Sequence, residues 1–278
     1  MTAAPPARDF ASDIAVRPGG DGRWLADLSP RWDVARGPNG GYVAAVVLQA
    51  MLAQLDDAER APRSLTLHYL RPPSIGPCEI TVTVQRSGRG MSTLTARLSQ
   101  DAKVTILAIG AFAADYPGAA TYAVAAPAVG PPGELVAVPE QPGLPEVVRR
   151  TVVGAAPGID AGGGDGDQAP LVTGGWLRLA EPHTVDPAAL AFYVDAWLPA
   201  PLVLLGTQLF APTVDLTIHF RAPLPHPGMA PEDPVLVRFT SRTASGGFFE
   251  EDGEVWAPDG TLLAQSRQLA LLLAPPPA

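Results

Sequence analysis

The side chains of this sequence that could do chemistry are Asp195, Thr213 and Gln268: a carboxylate, a hydroxyl and an amide. Asp195 lies within PAALAFYVDAWL, residues 187–198, which is apolar on every face and is therefore predicted to form a buried helix. A carboxylate in such a helix must be hydrogen-bonded, paired or functional, because burial of an isolated charge is costly. A buried carboxylate can act as a general base toward water, and a hydroxyl and an amide can fix the position of that water.

Two of these residues also have a purely structural interpretation, and the third has a rival. Asp195 alone could equally be a structural carboxylate bonded to a nearby tyrosine or backbone group, and Thr213 alone is more often a local capping hydroxyl. Asp215 follows Thr213 by two residues and is predicted to share its strand face, which makes it a rival to Asp195. Gln265 is predicted to point away from Gln268, and it becomes the candidate if the strand register is shifted by one.

The candidates lie on elements that recur along the chain. Tyr42–Ala45 (YVAA) is matched 151 residues later by Tyr193–Ala196 (YVDA), and Leu65–Tyr69 (LTLHY) is matched at the same spacing by Leu216–Phe220 (LTIHF). A helix and a strand therefore repeat together without a gap. Such internal similarity predicts two units of one design.

A third match lies at a larger spacing. Ile106–Ala108 corresponds to 262–264 at an offset of 156, which implies about five additional residues in the second copy. At these two offsets the three candidates align with residues that offer no polar side-chain group: Ala44, Pro62 and Phe112. Because one copy does without the polar groups, the comparison predicts one working site and one degenerate site.

The predicted units combine one long helix with antiparallel strands, which is an α+β arrangement. Asn39 is a plausible N-cap for a helix running to about Leu55, and Asp186 and Pro187 begin the second helix. The predicted organisation is a first unit at 1–125, a Pro/Ala/Gly-rich linker at 126–145 and a second unit at 146–278. Strands are predicted at 64–70, 78–87, 91–100, 104–112, 171–179, 213–220, 235–243, 247–256 and 262–273.

Composition narrows the possible partners. The net charge of −9 argues against nucleic acid or an anionic membrane as the main partner, and a hydrophobic content of 47% suffices for a core.

The sequence shows no basic and apolar leader and no apolar run of membrane-spanning length, so a soluble cytoplasmic protein is expected. The single cysteine, Cys78, excludes an internal disulfide framework, and His183 and His226 have no ligand spacing, so neither a metal nor another cofactor is expected.

The order of these motifs resembles a known family. A G-G-Y segment opens the first helix, an aspartate lies in YVDAWLP, a threonine begins TVDLTIHFRAPL, and a glutamine ends LLAQSRQ. This pattern resembles the TesB-type (acyl-CoA thioesterase II-like) double-hotdog acyl-CoA thioesterases. The resemblance implies an α+β double hotdog, in which each of two tandem hotdog repeats is a long helix wrapped by an antiparallel sheet.

The resemblance also implies a reaction, the hydrolysis of acyl-CoA thioesters to free acid and CoA. Asp195, Thr213 and Gln268 would hold and activate the water that attacks the thioester carbonyl. Backbone N–H groups at Gly40, Gly41 and Tyr42 would bind the substrate and its oxyanion, aided by the helix dipole. The expected partner is acyl-CoA, and the chains could form a homo-oligomer. Candidates for binding the CoA phosphates are Arg63, Arg71, Arg89 and Arg242.

Two other functions stay open. A non-catalytic acyl-CoA binding protein would not need a water-activating aspartate, and a hotdog enoyl-CoA hydratase would pair an aspartate with a suitably placed histidine. His68 and His219 occupy equivalent repeat positions, which favours a structural role for both. A serine thioesterase of the α/β-hydrolase type is not supported, since the sequence contains no G-x-S-x-G motif.

Overall fold

A computed structural model describes residues 9–34, 36–116, 118, 120–139, 144–159, 162–163, 169–206 and 209–274. Within these residues the α-helices are α1 (Phe10–Asp13), α2 (Gly40–Leu55), α3 (Pro187–Tyr193) and α4 (Ala200–Leu205). Short 3-10 helices span Pro30–Trp32 and Glu146–Arg150. The strands are β1 (Arg17–Gly20), β2 (Arg23–Leu28), β3 (Ala61–Tyr69), β4 (Gly76–Ser87), β5 (Met91–Gln100), β6 (Lys103–Ala113), β7 (Val136–Ala137), β8 (Thr151–Gly154), β9 (Gly162–Gly163), β10 (Leu171–Leu179), β11 (Thr213–Phe220), β12 (Val235–Ser241), β13 (Ala244–Ser245), β14 (Phe248–Trp256) and β15 (Leu262–Leu271).

All of these strands join one antiparallel sheet with a repeated order. From the centre outward, one half reads β3, β6, β5, β4, β2, β1, and the other reads β11, β15, β14, β12, β10, β8. The halves meet where β3 pairs with β11, and there Thr66 faces Thr217 with 3.0 Å between their Oγ1 atoms. These two residues are 151 positions apart, so the spacing predicted from the sequence defines the approximate twofold relation of the halves.

The helices α2 and α3 pack against each other and against one face of this sheet, with a shared apolar core between them. The repeat is visible in their hydrogen bonds. The Tyr42 hydroxyl accepts a bond from the backbone N–H of Ser29, and the Tyr193 hydroxyl accepts one from the N–H of Leu179, both at 3.1 Å. The α+β arrangement is thus confirmed, and α2 ends at Leu55 as predicted.

The offset predicted for the last strands is wrong by two residues. Leu65 faces Gly110, whereas Leu216, its counterpart 151 residues later, faces Gln268. The structural counterpart of Gln268 is therefore Gly110 rather than Phe112, at an offset of 158 with seven additional residues. A two-residue slip keeps every side chain on the same strand face, so the apolar pattern alone could not detect it.

The helix predicted through Leu198 ends earlier. Helix α3 stops at Tyr193, and Asp195 lies in the turn that follows, rather than in the middle of a helix. The side chain of Asn39 donates a hydrogen bond to the backbone carbonyl of Asp195 at 2.9 Å, which occupies a group that a continuing helix would use. Pro199 also disfavours a helical conformation at Leu198, so α4 begins separately at Ala200.

The predicted strand face of Asp215 is wrong, because β11 contains a β-bulge. Thr213 pairs with Ala270, but Asp215 pairs with the adjacent Leu269, so one extra residue is accommodated between them. The extra residue reverses the alternation of side chains. Thr213 consequently points inward, and Asp215 joins the outward set together with the exposed His219.

The Pro/Ala/Gly-rich segment packs on the outer face of the second half of the sheet. Ala126, Val129 and Leu135 contact a small apolar cluster that contains Trp176 and Trp256. The indole Nε1 of Trp176 donates to the carbonyl of Gly130 at 3.1 Å. Among the described residues, no helix is both long enough and apolar enough to span a bilayer.

Candidate active site

Asp195 lies where the start of α2 meets the end of α3. Its Oδ2 accepts hydrogen bonds from the backbone N–H of Gly41 at 2.8 Å and from Asn39 Nδ2 at 3.1 Å. Asn39 also caps α2, because its Oδ1 accepts from the N–H of Tyr42 at 2.9 Å. The positive end of the α2 dipole therefore faces the carboxylate. This arrangement joins the two halves of the chain through one side chain.

The two glycines allow this close approach. A Cβ atom at Gly41 would lie 2.7 Å from the carbonyl oxygen of Phe192 and 2.9 Å from Asp195 Cβ, and one at Gly40 would lie 2.9 Å from Asp195 Oδ2. The Tyr69 hydroxyl closes the same corner by donating to the carbonyl of Gly40 at 2.8 Å. Any side chain at either position would separate α2 from the carboxylate.

The surroundings of Asp195 make its carboxylate unusually basic. Burial raises the pKa of Asp195 to about 6, although hydrogen bonds from Gly41, Asn39 and Gly40 act to lower it. The group is therefore largely ionised at neutral pH yet close enough to neutrality to accept a proton from water. Burial and the charge of Asp195 raise the pKa of Tyr69 well above its ordinary value, so its hydroxyl stays protonated and remains a donor.

Thr213 and Gln268 are in direct contact on adjacent strands. Thr213 Oγ1 donates to Gln268 Oε1 at 3.1 Å, and Gln268 Nε2 donates to Glu251 Oε1 at 3.0 Å. The other carboxylate oxygen of Glu251 accepts from the backbone N–H of Ala200 at 2.7 Å. Strand β11 is thus connected through β15 and β14 to the beginning of α4, five residues after Asp195.

Glu251 was not predicted from the sequence. Only 3% of its surface is exposed, and burial raises its pKa to about 7. The charge of Asp195 contributes to this increase, so the two carboxylates share one electrostatic environment. In the first half, Leu94 faces Gly110 as Glu251 faces Gln268. A comparison of the repeats with the correct register would have singled out Glu251 as a charged residue at an apolar position.

Four positions therefore differ in kind between the halves. We call the residues of the second half the polar set: Asp195, Thr213, Glu251 and Gln268. Their counterparts in the first half form the apolar set: Ala44, Pro62, Leu94 and Gly110. In the apolar set, a Cβ atom at Gly110 would lie 2.8 Å from the ring of Phe112 and 3.2 Å from Met51 Sδ. Those two side chains fill the space that corresponds to the Gln268 amide.

The predicted substrate-binding groups at the start of α2 are already bonded within the protein. The N–H of Gly41 is bound to Asp195, and the N–H of Tyr42 is bound to Asn39. The Tyr42 side chain is fully buried, and its hydroxyl donates to the carbonyl of Asp13 at 2.7 Å. The prediction of Tyr42 as a substrate-binding residue is therefore not supported, because its N–H and its hydroxyl are both hydrogen-bonded within the protein.

Of the remaining candidates, one lies on the opposite face of the sheet and two are paired with acidic residues. Gln265 is exposed and lines a groove on the outer face of the sheet, opposite to Gln268. Two of the arginines considered for CoA phosphates form ion pairs, Arg63 with Asp115 at 2.7 Å and Arg242 with Glu250 at 3.9 Å. Within the described parts of the chain, no group of three or more His, Cys, Asp or Glu side chains is arranged to hold a metal ion.

Comparison with known proteins gives the class first. A hotdog-fold protein of unknown function from Alicyclobacillus acidocaldarius superposes with a TM-score of 0.79 at 26% identity, over 96% of this chain and 98% of that one. An acyl-CoA thioesterase II from Mycobacterium marinum superposes with a TM-score of 0.77 at 20% identity, over the same shares of the two chains, which shows the fold alone. No similarity to a curated protein sequence was found. The chain thus has a hotdog-type fold.

The family follows from the sequence matches. Residues 28–113 match the acyl-CoA thioesterase N-terminal domain, and residues 123–272 match the acyl-CoA thioesterase C-terminal domain. A Thermobifida fusca YX protein, provisionally assigned as a thioesterase II, is 32% identical over 96% of this chain and 98% of that one, with a TM-score of 0.80. The chain belongs to the acyl-CoA thioesterase family and is a TesB-like thioesterase.

Proposed function

We propose that this protein hydrolyses acyl-CoA thioesters to free acid and CoA, with a water held by Asp195, Thr213 and Gln268. The observation that carries the proposal is the difference between the polar set and the apolar set, which occupy equivalent positions in one fold. We further propose that units 1–125 and 146–278, joined by 126–145, form a double hotdog with one working site per chain.

The roles follow from the hydrogen-bonding capacity of each group. Ionised Asp195 takes a proton from water, the water oxygen bonds to the thioester carbon, and the carbon–sulfur bond breaks to release the CoA thiol with that proton. Thr213 donates its only hydroxyl proton to Gln268, so its lone pairs are free to accept a hydrogen bond from the water. Gln268 keeps one N–H for a bound oxygen, because the other is donated to Glu251.

The start of α2 has a different role from the one expected. Because the Gly41 N–H is bonded to Asp195 and the Gly40 N–H also lowers the pKa of that carboxyl, we assign both glycines to stabilising the ionised base. Gly40 and Gly41 then act on the water through Asp195 rather than directly on the developing oxyanion. In this assignment the α2 dipole still provides electrostatic stabilisation, and the group that it stabilises is the Asp195 carboxylate.

Release of free thiol from a graded series of acyl-CoAs tests the proposal. Hydrolysis predicts one thiol for each acyl-CoA consumed, and Asp195→Asn should suppress it in a folded protein. A hydratase would remove the ultraviolet absorbance of an enoyl-CoA without thiol release. A binding protein would bind acyl-CoA and leave it intact. Either of these two results in the absence of thiol release would refute hydrolysis.

A further inference from the structure

Glu251 is a buried carboxylate that the proposed reaction does not use directly. It lies on β14 and points inward, and both of its oxygens are hydrogen-bonded, one by the Ala200 backbone N–H and the other by the Gln268 amide. Among the residues that the structure describes, no basic side chain forms an ion pair with it. The charged groups that act on it are Asp195 on the turn after α3 and Glu250 on its own strand, both acidic.

Packing alone does not explain a carboxylate at this place. Leu94, which is fully buried, occupies the equivalent position of the first half, between β4 and β6, as Glu251 lies between β12 and β15. Burying a carboxylate without a cationic partner costs free energy, and an apolar residue of similar size would avoid that cost. The second half therefore carries a destabilising charge at a position where the fold itself accepts leucine.

The chemistry of the carboxylate determines the orientation of the Gln268 amide. An ionised carboxylate can only accept hydrogen bonds, so the amide nitrogen of Gln268 must face Glu251. The amide oxygen then faces Thr213 and receives its hydroxyl proton. With an apolar residue at position 251, the Gln268 amide could rotate by a half turn and offer its nitrogen to Thr213 instead. Thr213 would then have to accept, which occupies one of its two lone pairs and leaves its hydroxyl proton, rather than both lone pairs, to face the water.

Glu251 also connects this amide to the segment that carries Asp195. The Ala200 N–H begins α4, and only residues 196–199 separate it from Asp195. Helix α4 itself contains no titratable side chain. One carboxylate thus bridges the strand pair that carries Thr213 and Gln268 and the turn that follows Asp195.

We propose that Glu251 is a positioning residue that fixes the amide of Gln268 and ties it to the turn carrying Asp195. This inference rests on the proposed function of the same site. Glu251 acts through Gln268 and does not touch the substrate. Because burial raises its pKa to about 7, protonation near neutrality would let it donate a hydrogen bond, and the amide of Gln268 would no longer be held in one orientation.

A double-mutant cycle with Gln268 tests this role. Glu251→Leu, which copies the first half, should lower kcat by about ten- to a hundredfold and change KM by less than about threefold, since only the geometry of the reacting groups is disturbed. In a Gln268→Ala background the same substitution should change kcat by less than about twofold, because the amide it orients is absent. The matched control is Glu254→Gln on the outer face of β14, which should leave kcat unchanged.

Stability separates positioning from support of the fold. Glu251→Leu removes a desolvated carboxylate but also leaves the Ala200 N–H and the Gln268 amide without their acceptor, so these opposing effects should leave the thermal midpoint nearly unchanged. If Glu251→Leu does not fold, Glu251→Gln serves in the same cycle. In this variant an NH2 group, which can only donate, replaces one of the two oxygens that now accept from Ala200 and Gln268, so kcat should fall, again only when Gln268 is present.

The outcomes that contradict the inference are specific. A wild-type protein that releases thiol, together with a Glu251→Leu variant of equal kcat, overturns the role of Glu251 alone. Equal fold-reductions in the wild-type and Gln268→Ala backgrounds overturn it as well, because the effect would then not pass through Gln268. Absence of thiol release by the wild type overturns the proposed function, and this role with it.

Discussion

The two halves of the sheet form the same arrangement of helix and strands. The side chains at the equivalent positions are polar in the second half and apolar in the first. In the second half, the polar set places two carboxylates, a hydroxyl and an amide around the end of α3 and the start of α4. In the first half, the apolar set leaves this volume to the ring of Phe112 and to Met51. The pairing of the two central strands of each half is the same, including the bulge that follows Pro62 in β3 and Thr213 in β11.

This difference separates what the fold needs from what the site needs. The first half shows that the crossing packs well with leucine, alanine and proline. The second half accepts the desolvation of two acidic groups, and burial raises the pKa of each of them. A protein selected only for stability would gain by making the second half resemble the first, so we attribute the polar set to the reaction.

The largest effect is expected from removing the base. Asp195→Asn should keep both hydrogen bonds to its Oδ2 position and therefore the fold, but it cannot accept a proton. Turnover should fall by about 10²–10⁴-fold, the usual contribution of general-base catalysis. Thiol release under substrate saturation measures this change.

Asp215→Asn is the matched control for that experiment. Asp215 lies on β11 near Thr213 but belongs to the outward set, because the bulge reverses the alternation. Its substitution should leave turnover within about twofold of the wild type. Near-normal turnover in a folded Asp195→Asn protein would show that Asp195 is not the base.

A smaller effect is expected from the amide. Gln268→Ala should lower turnover by about ten- to a hundredfold, which corresponds to the roughly 1.5–3 kcal/mol of a hydrogen bond to a charged group. Gln265→Ala should be nearly silent, since Gln265 is exposed on the outer face of β15. The opposite ranking would place the active site on the outer face of the sheet.

Most of the fold could be predicted because both halves follow the internal sequence repeat. The spacing of 151 residues was readable in YVAA and YVDA, and it fixes the pairing of Thr66 with Thr217. The N-cap at Asn39 was also readable, since its side chain bonds locally to Tyr42. These features depend on periodicity and on neighbours in the chain.

The site was predicted only in part because its register depends on contacts distant in sequence. The prediction that Gln268 aligned with Phe112 failed at a two-residue slip that leaves the apolar pattern intact. Glu251 was hidden among Glu250 and Asp252, and only the strand register shows which of the three faces inward. The end of α3 before Asp195 depends on Asn39, 156 residues away in sequence.

The apolar set can be challenged directly by introducing a carboxylate into it. Ala44 is fully buried in α2, so Ala44→Asp should lower the free energy of unfolding by about 1–3 kcal/mol through an unsatisfied polar group. Ala53→Asp, on a less buried face of the same helix, controls for helix propensity. Denaturant titration measures both.

The same variant should not gain a second site, because Gly110 and Leu94 provide no amide and no second carboxylate. Calorimetric titration with a non-hydrolysable acyl-CoA analogue should give one site per chain, in the wild type and in Ala44→Asp. Two equal sites in the wild type would contradict the distinction between the polar and apolar sets.

The smallest expected effect is a pH dependence of stability that arises from Asp195. Burial raises the pKa of Asp195 from 3.8 to about 6, so between roughly pH 4 and 6 the folded protein keeps a proton that the unfolded chain releases. The resulting stabilisation is complete below the unfolded pKa and is lost as the pH rises through about 6.

Asp195→Asn abolishes this titration. Relative to that variant, the wild type should therefore be more stable at pH 5 than at pH 8, by about 1 kcal/mol in the free energy of unfolding. Thr213→Val, which removes a group that does not titrate, should differ from the wild type equally at both pH values. A difference between wild type and Asp195→Asn that does not change with pH would mean that Asp195 titrates as an ordinary aspartate, and its assignment as a base poised near neutrality would then be wrong.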